Sequence, residues 1–147
     1  MARVLSGYSD VIVMRHPTAG SVKEFAEASR VPVINGGDGS NEHPSQALLD
    51  LYTIRKELAD RGDHIDGLRI AVVGDLRYGR AVHSLLKLLA LFDNITVNLV
   101  SPPDLTAPED SVRDLEAKGH HVETFHNLEE GVNHVDILYV TRTQEER

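Results

Sequence analysis

Six short runs rich in Val and Ile recur along this chain with little polar alternation: residues 10–14, 31–35, 68–74, 95–101, 121–125 and 135–140. That pattern belongs to strands buried on both faces, as in parallel sheets covered by helices. Helical patterns fall between the runs: Ser21 to Ser29, Pro44 to Arg61, Gly79 to Phe92, Pro108 to Lys118 and a short one at Leu128 to Val132. Asn127 suits the N-cap of the last, with Glu130 three residues on. Strand and helix in alternation predict an α/β fold with parallel sheets flanked by helices. No fixed period of a solenoid interrupts that order.

A polar stretch from Lys56 to Asp66, with Gly62 and Gly67 as stop signals, divides the chain. Residues 1–62 then hold two strands and the connecting helix, and residues 63–147 hold four strands. Two strands rarely stand alone, so the first piece reads as an α/β unit truncated at its N-terminus. An open parallel edge there invites self-association. With 147 residues, 41% hydrophobic and 26% charged, the chain has the composition of a soluble globular protein rather than a disordered one. Its apolar runs are too short to span a bilayer, and Met1-Ala2-Arg3 leads straight into a strand-like pattern rather than a signal segment. Neither a membrane nor a nucleic acid is an expected partner, the latter because the net charge is −8. The chain has no Cys, which removes disulfides, thiolate catalysis and Cys-ligated metals.

Four clusters could carry chemistry. Arg15-His16-Pro17 follows the first predicted strand, where ligands of open α/β sheets bind. The planar fork of Arg15 suits a phosphate, although a surface Arg before a Pro-limited turn has the same sequence. The run from Asn35 to Gln46 joins a strand to a helix through three glycines in four positions. Pro44 fits the first helical position and sets His43 and Gln46 near a helix N-terminus that favours anions. A neutral His or a Gln amide there could polarise a carbonyl oxygen; a capped, glycine-rich connection is the plainer alternative.

The third cluster, Gly74-Asp75-Leu76-Arg77-Tyr78-Gly79-Arg80, only superficially resembles a dinucleotide loop. Leu76 blocks the close backbone approach that a middle glycine allows, and Ser101-Pro102-Pro103 stands where an acidic ribose partner is expected. Arg77 and Arg80 fit a small carboxylate or phosphate better. In the fourth, Arg142 and Gln144 alternate, so an extended segment points them the same way; a charged tail explains them as well. The eight histidines match no metal-ligand spacing, and no metal is expected. Ser6, Ser45 and Ser84 lack a nucleophile elbow.

Together the clusters resemble the aspartate carbamoyltransferase catalytic-chain family. His43-Pro44-Ser45-Gln46 is similar to its H-P-x-Q helix start, and Gly74 to Ser84 to its G-D-L-[KR]-Y-G-R-x-V-H-S motif. Val13 to Pro17 and Thr141 to Arg147 match two further segments in the same order. The resemblance covers essentially the whole chain but only about half of a family chain, which has two α/β domains. It implies parts of two Rossmann-like domains of the aspartate/ornithine carbamoyltransferase fold: the C-terminal part of a carbamoyl-phosphate-binding domain at 1–62, and the N-terminal part of an aspartate-binding domain at 63–147.

The implied reaction is transfer of a carbamoyl group from carbamoyl phosphate to the α-amino group of L-aspartate, an early step of pyrimidine synthesis. It needs no cofactor, and catalysis is positioning and electrostatic stabilisation. The resemblance assigns carbamoyl phosphate to Arg15, His43 and Gln46, with Arg15 and His43 catalytic, and aspartate to Arg80, Arg142 and Gln144. It further implies a cytoplasmic homo-oligomer, a trimer in the family, with a regulatory chain as a further partner. The family's S-T-R-T-R phosphate loop, the Ser- and Lys-bearing loop from a neighbouring subunit and the H-P-L-P segment are absent. The chain is therefore expected to be inactive alone. The competing readings are an ornithine-type carbamoyltransferase and a non-catalytic homologue that binds a partner chain or a dicarboxylate.

Overall fold

A computed structural model describes residues 1–141. The chain runs α1 (Ala2–Leu5), β1 (Ile12–His16), α2 (Ser21–Ala28), β2 (Val33–Asp38), α3 (Pro44–Asp60), β3 (Arg69–Val73), α4 (Arg80–Leu89), β4 (Thr96–Val100), α5 (Glu109–Ala117), β5 (His121–Phe125), α6 (Leu128–Gly131) and β6 (Ile137–Val140), with a 3₁₀ turn at Pro103–Leu105. All pairings between these strands are parallel. They form a two-stranded sheet, β1-β2, and a four-stranded sheet in the order β5-β4-β3-β6. The α/β class expected from the Val/Ile runs is therefore the class observed.

The core belongs to the larger sheet. Ile70, Val72 and Val97 are fully buried at its centre. On α4, Val82, Leu85, Leu86 and Leu89 recur at helical spacing and turn one continuous face inward. The long helix α3 lays Ala47, Ile54 and Leu58 into the same cluster. Although α3 follows the small sheet in sequence, it is packed into the core of the large one.

The first strand lies two residues later than its sequence predicts. Arg15 and His16 are its last residues rather than the start of a turn. The second strand extends through Gly36 and Gly37 to Asp38, because β1 pairs with it as far as His16↔Asp38, across an irregularity after Met14. The opening segment is also a correction: residues 2–5 form a helical turn, not a strand-like run, and Ser6 Oγ donates to Ala2 O at its end. A single turn carries too little periodicity to be read from sequence. Asn127 caps α6 as expected, accepting from Glu129 N at 2.9 Å. Among the described residues, no helix is long and apolar enough to cross a membrane.

Candidate active site at the junction of the two sheets

The carboxyl ends of β1 and β6 meet the N-termini of α3 and α4 around an open cleft of about 710 Å³. Arg15 and His16 enter from β1, His43 and Gln46 from α3, Arg80 from α4, and Tyr139 from β6. Of the six predicted site residues, four from three separate clusters, Arg15, His43, Gln46 and Arg80, line this one cleft. Among the described residues no Asp or Glu lines it, so an acidic chain carries a locally cationic pocket. Arg142 and Gln144 lie outside the described residues. Thr141, just before them, lines the cleft.

His43 is fixed through both its ring and its backbone. It is the N-cap of α3, and its Nδ1 accepts from Gln46 N at 3.4 Å. Its backbone N–H donates to Ser84 Oγ at 2.9 Å, so buried Ser84 positions this residue rather than serving as a nucleophile. Burial, then the positive charges of Arg80 and Arg15, hold the imidazole pKa below its ordinary 6.5, against the opposing pull of Asp50. The ring is neutral at pH 7, and an accepting Nδ1 leaves Nε2–H as its donor.

Arg80 spans the two sheets. Its Nη1 donates to Gly39 O at 3.0 Å. Gly37 explains how the guanidinium fits there: a Cβ at that position would stand 3.0 Å from Arg80 Cζ, with φ at +125°. The glycine-rich run thus makes room for a cation brought by the other sheet. Gly74 does the same for the strand end opposite, since a Cβ there would come within 2.8 Å of Thr141 Cγ2.

Asp38 braces the run from below. Its buried carboxylate accepts from Gly20 N at 2.9 Å, Asn41 Nδ2 at 3.2 Å and Val22 N at 3.5 Å. Burial by itself pushes its pKa up, but these bonds together with His16 leave it below its ordinary value. Further ties cross the junction at the rim, where Lys87 pairs with Glu42 and the His83 ring reaches both Asn41 O and Leu76 O.

Arg77 corrects the expectation that it shares the ligand role of Arg80. It lies over the Tyr78 ring, 5.4 Å from the centroid, with Nη1 donating to Asp104 O at 3.4 Å, and is not part of the cleft wall. Two residues of the site escaped sequence reasoning. Asp50 accepts from Gln46 Nε2 at 2.9 Å and from Tyr139 OH at 2.9 Å. The i, i+4 spacing of Gln46 and Asp50 on a helix was the available signal; nothing local pointed to Tyr139. Among the described residues, no three His, Asp or Glu side chains gather to hold a metal ion.

Comparisons with known proteins converge on one family. Residues 1–56 match the aspartate/ornithine carbamoyltransferase carbamoyl-P binding domain, and residues 66–147 the Asp/Orn binding domain of the same family. The aspartate carbamoyltransferase catalytic subunit of Saccharophagus degradans is 66% identical over 146 residues, which is 99% of this chain and 43% of that protein. The catalytic subunit of M. jannaschii aspartate transcarbamoylase superposes with a TM-score of 0.87 at 51% identity, over 99% of this chain and 46% of the other. Aspartate transcarbamoylase from Trypanosoma cruzi, in complex with carbamoyl phosphate, gives a TM-score of 0.90 at 44% identity over 99% and 46%. The chain thus spans less than half the length of these relatives.

Proposed function

Because the chain belongs to the aspartate/ornithine carbamoyltransferase family, we propose that its cleft is part of a site for carbamoyl transfer from carbamoyl phosphate to L-aspartate. The observation that carries this reading is the convergence of Arg15, His43, Gln46 and Arg80, drawn from both sheets, on one cleft that has no acidic side chain in its wall among the described residues. Arg15 holds the phosphate through its donor fork. The Nε2–H of neutral His43 donates to the carbamoyl carbonyl oxygen, where negative charge grows as the α-amino nitrogen attacks the carbon. The C–N bond forms, the bond from carbon to the phosphate oxygen breaks, and phosphate leaves with the electron pair and takes up the proton lost by the attacking nitrogen. Gln46 meets the carbamoyl amide.

Arg80 takes a carboxylate of the acceptor, and Arg142 with Gln144 its side-chain carboxylate. A dicarboxylate needs at least two such cations, and a cationic ornithine side chain would be repelled by them. The aspartate reading is further supported by the 66% identity to an aspartate carbamoyltransferase catalytic subunit. We place residues 1–62 with the carbamoyl-phosphate half and 63–147 with the aspartate half, and assign the protein to a cytoplasmic homo-oligomer in pyrimidine synthesis, with a regulatory chain as a further partner.

Carbamoyl-aspartate formation by the purified chain, with Arg80→Ala alongside and ornithine as the competing acceptor, tests the reading. Aspartate-dependent product that disappears in Arg80→Ala supports it. Product with ornithine alone, or product indifferent to Arg80, contradicts it. Binding of carbamoyl phosphate without turnover, abolished by Arg15→Ala, is the result expected of an incomplete catalytic unit.

A further inference from the structure

Gln46 has an amide that can face the cleft in two ways, presenting either its oxygen or its NH2. An acceptor in the cleft recognises a ligand NH2; a donor recognises a ligand oxygen. Which is presented depends on what holds the other half of the amide. Asp50, one helical turn along α3, places Oδ1 2.9 Å from Gln46 Nε2. A carboxylate only accepts, so the Gln46 nitrogen must face it and the Gln46 oxygen is left for the ligand. The carboxylate is itself held from the other sheet: Tyr139 OH, at the end of β6, donates to Asp50 Oδ2 at 2.9 Å. Tyr139 is half-buried; burial first, and then Asp50, push its pKa far above its ordinary value, so the phenol keeps its proton and remains a donor.

We propose that Asp50, anchored by Tyr139, is a positioning residue that fixes the orientation of the Gln46 amide and so makes the cleft select a ligand bearing –C(O)NH2 over its –C(O)CH3 isostere. The inference rests on the carbamoyl-phosphate reading of the cleft and adds to it the origin of selectivity. Asp50 does not itself line the cleft. It acts through Gln46, and it ties that orientation to the strand that leads toward Arg142.

Phosphonoacetamide and acetonylphosphonate are stable against hydrolysis and differ only in NH2 against CH3. Calorimetric binding of each to the 147-residue chain is the test. The wild type is expected to prefer phosphonoacetamide by about tenfold, the scale of one well-formed hydrogen bond. Asp50→Asn has nearly the same shape, yet its NH2 can donate to the Gln46 oxygen while its own oxygen still accepts from Tyr139, which lets the Gln46 amide turn over. The preference then falls to about twofold or less, while the affinity for acetonylphosphonate stays within about twofold. Tyr139→Phe removes one anchor without changing the volume and gives an intermediate preference. An unchanged preference in Asp50→Asn overturns the proposal, as does an equal loss of affinity for both ligands, the mark of a merely structural role. A wild-type chain that binds both phosphonates without preference overturns the proposal and leaves the anion site standing. A wild-type chain that binds neither overturns the reading of the cleft itself.

Discussion

The two sheets of this chain are built from similar sequence runs and end in different physical states. In the four-stranded sheet, Ile70, Ala71, Val72 and Val97 are fully buried, with α4 on one face and α5 and α6 contributing to the cover. In the two-stranded sheet, Val13 is 69% exposed and Ile34 47%. The first 40 residues bury only two apolar side chains, Ala2 and Val22. The large sheet is stabilised by apolar burial, the small one by polar ties: Asp38 under its glycine run, and Arg80, Ser84 and Lys87 reaching over from α4. The cleft lies where these two kinds of structure meet, so its geometry leans on the less buried partner. Elements near a functional site are often drawn from the less stable part of a fold.

Core truncation should separate the sheets most sharply. Leu85→Ala empties a fully buried position on α4 and is expected to cost about 2–5 kcal/mol, whereas Val13→Ala on the small sheet stays within about 0.5 kcal/mol. Chemical denaturation of both variants checks this; equal losses would mean that the small sheet also rests on a buried core. Removing the polar brace reverses the contrast. Asp38→Ala leaves Gly20 N and Asn41 Nδ2 without their acceptor, at about 1–3 kcal/mol. Amide exchange should accelerate in β1 and β2 and remain slow in β3 and β4.

Acid acts in two windows. The depressed pKa of His43 means that the unfolded chain binds its proton first, so stability contributed by the neutral ring is present above about pH 6.5 and is lost as the pH falls through the lower folded value. His43→Gln should flatten that decline in a pH series of thermal melts. Asp38, also depressed, contributes stability above its ordinary 3.8 that is lost as the pH falls below it, and Asp38→Asn should remove this second decline. The smallest effect belongs to the large sheet's exposed pair. Arg69 and Asp136 join β3 to the approach of β6 through bonds of 3.0 and 3.3 Å, both side chains being substantially solvated. Asp136→Asn should cost no more than about 1 kcal/mol, less again at high salt.

The large sheet was legible because its central strand carries the apolar run Ile70 to Val73 and α4 keeps a strict apolar period from Val82 to Leu89. The small sheet was legible as strands but not in register. Its second strand runs into Gly36 and Gly37, which local preference assigns to a loop and which strand pairing overrides. The site divided in the same way. Arg15, His43, Gln46 and Arg80 announced themselves through position at strand ends and helix starts. Asp50 and Tyr139 did not, because their meaning lies in a contact across 89 residues of sequence. Arg77 misled for the converse reason: three residues from Arg80, it is turned onto Tyr78 by the local chain path.

A site shared by the two sheets makes a demand that one titration can meet. Backbone amide spectra of the isotope-labelled chain, recorded with increasing phosphonoacetamide, report on both sheets at once. Arg15, His16, Gly39, His43 and Gln46 on the small-sheet side, and 78–81 with 139–141 on the large-sheet side, should shift together and saturate at the same ligand concentration. Shifts confined to one side, different saturation points on the two sides, or no shifts at all would contradict a single anion site built across the junction.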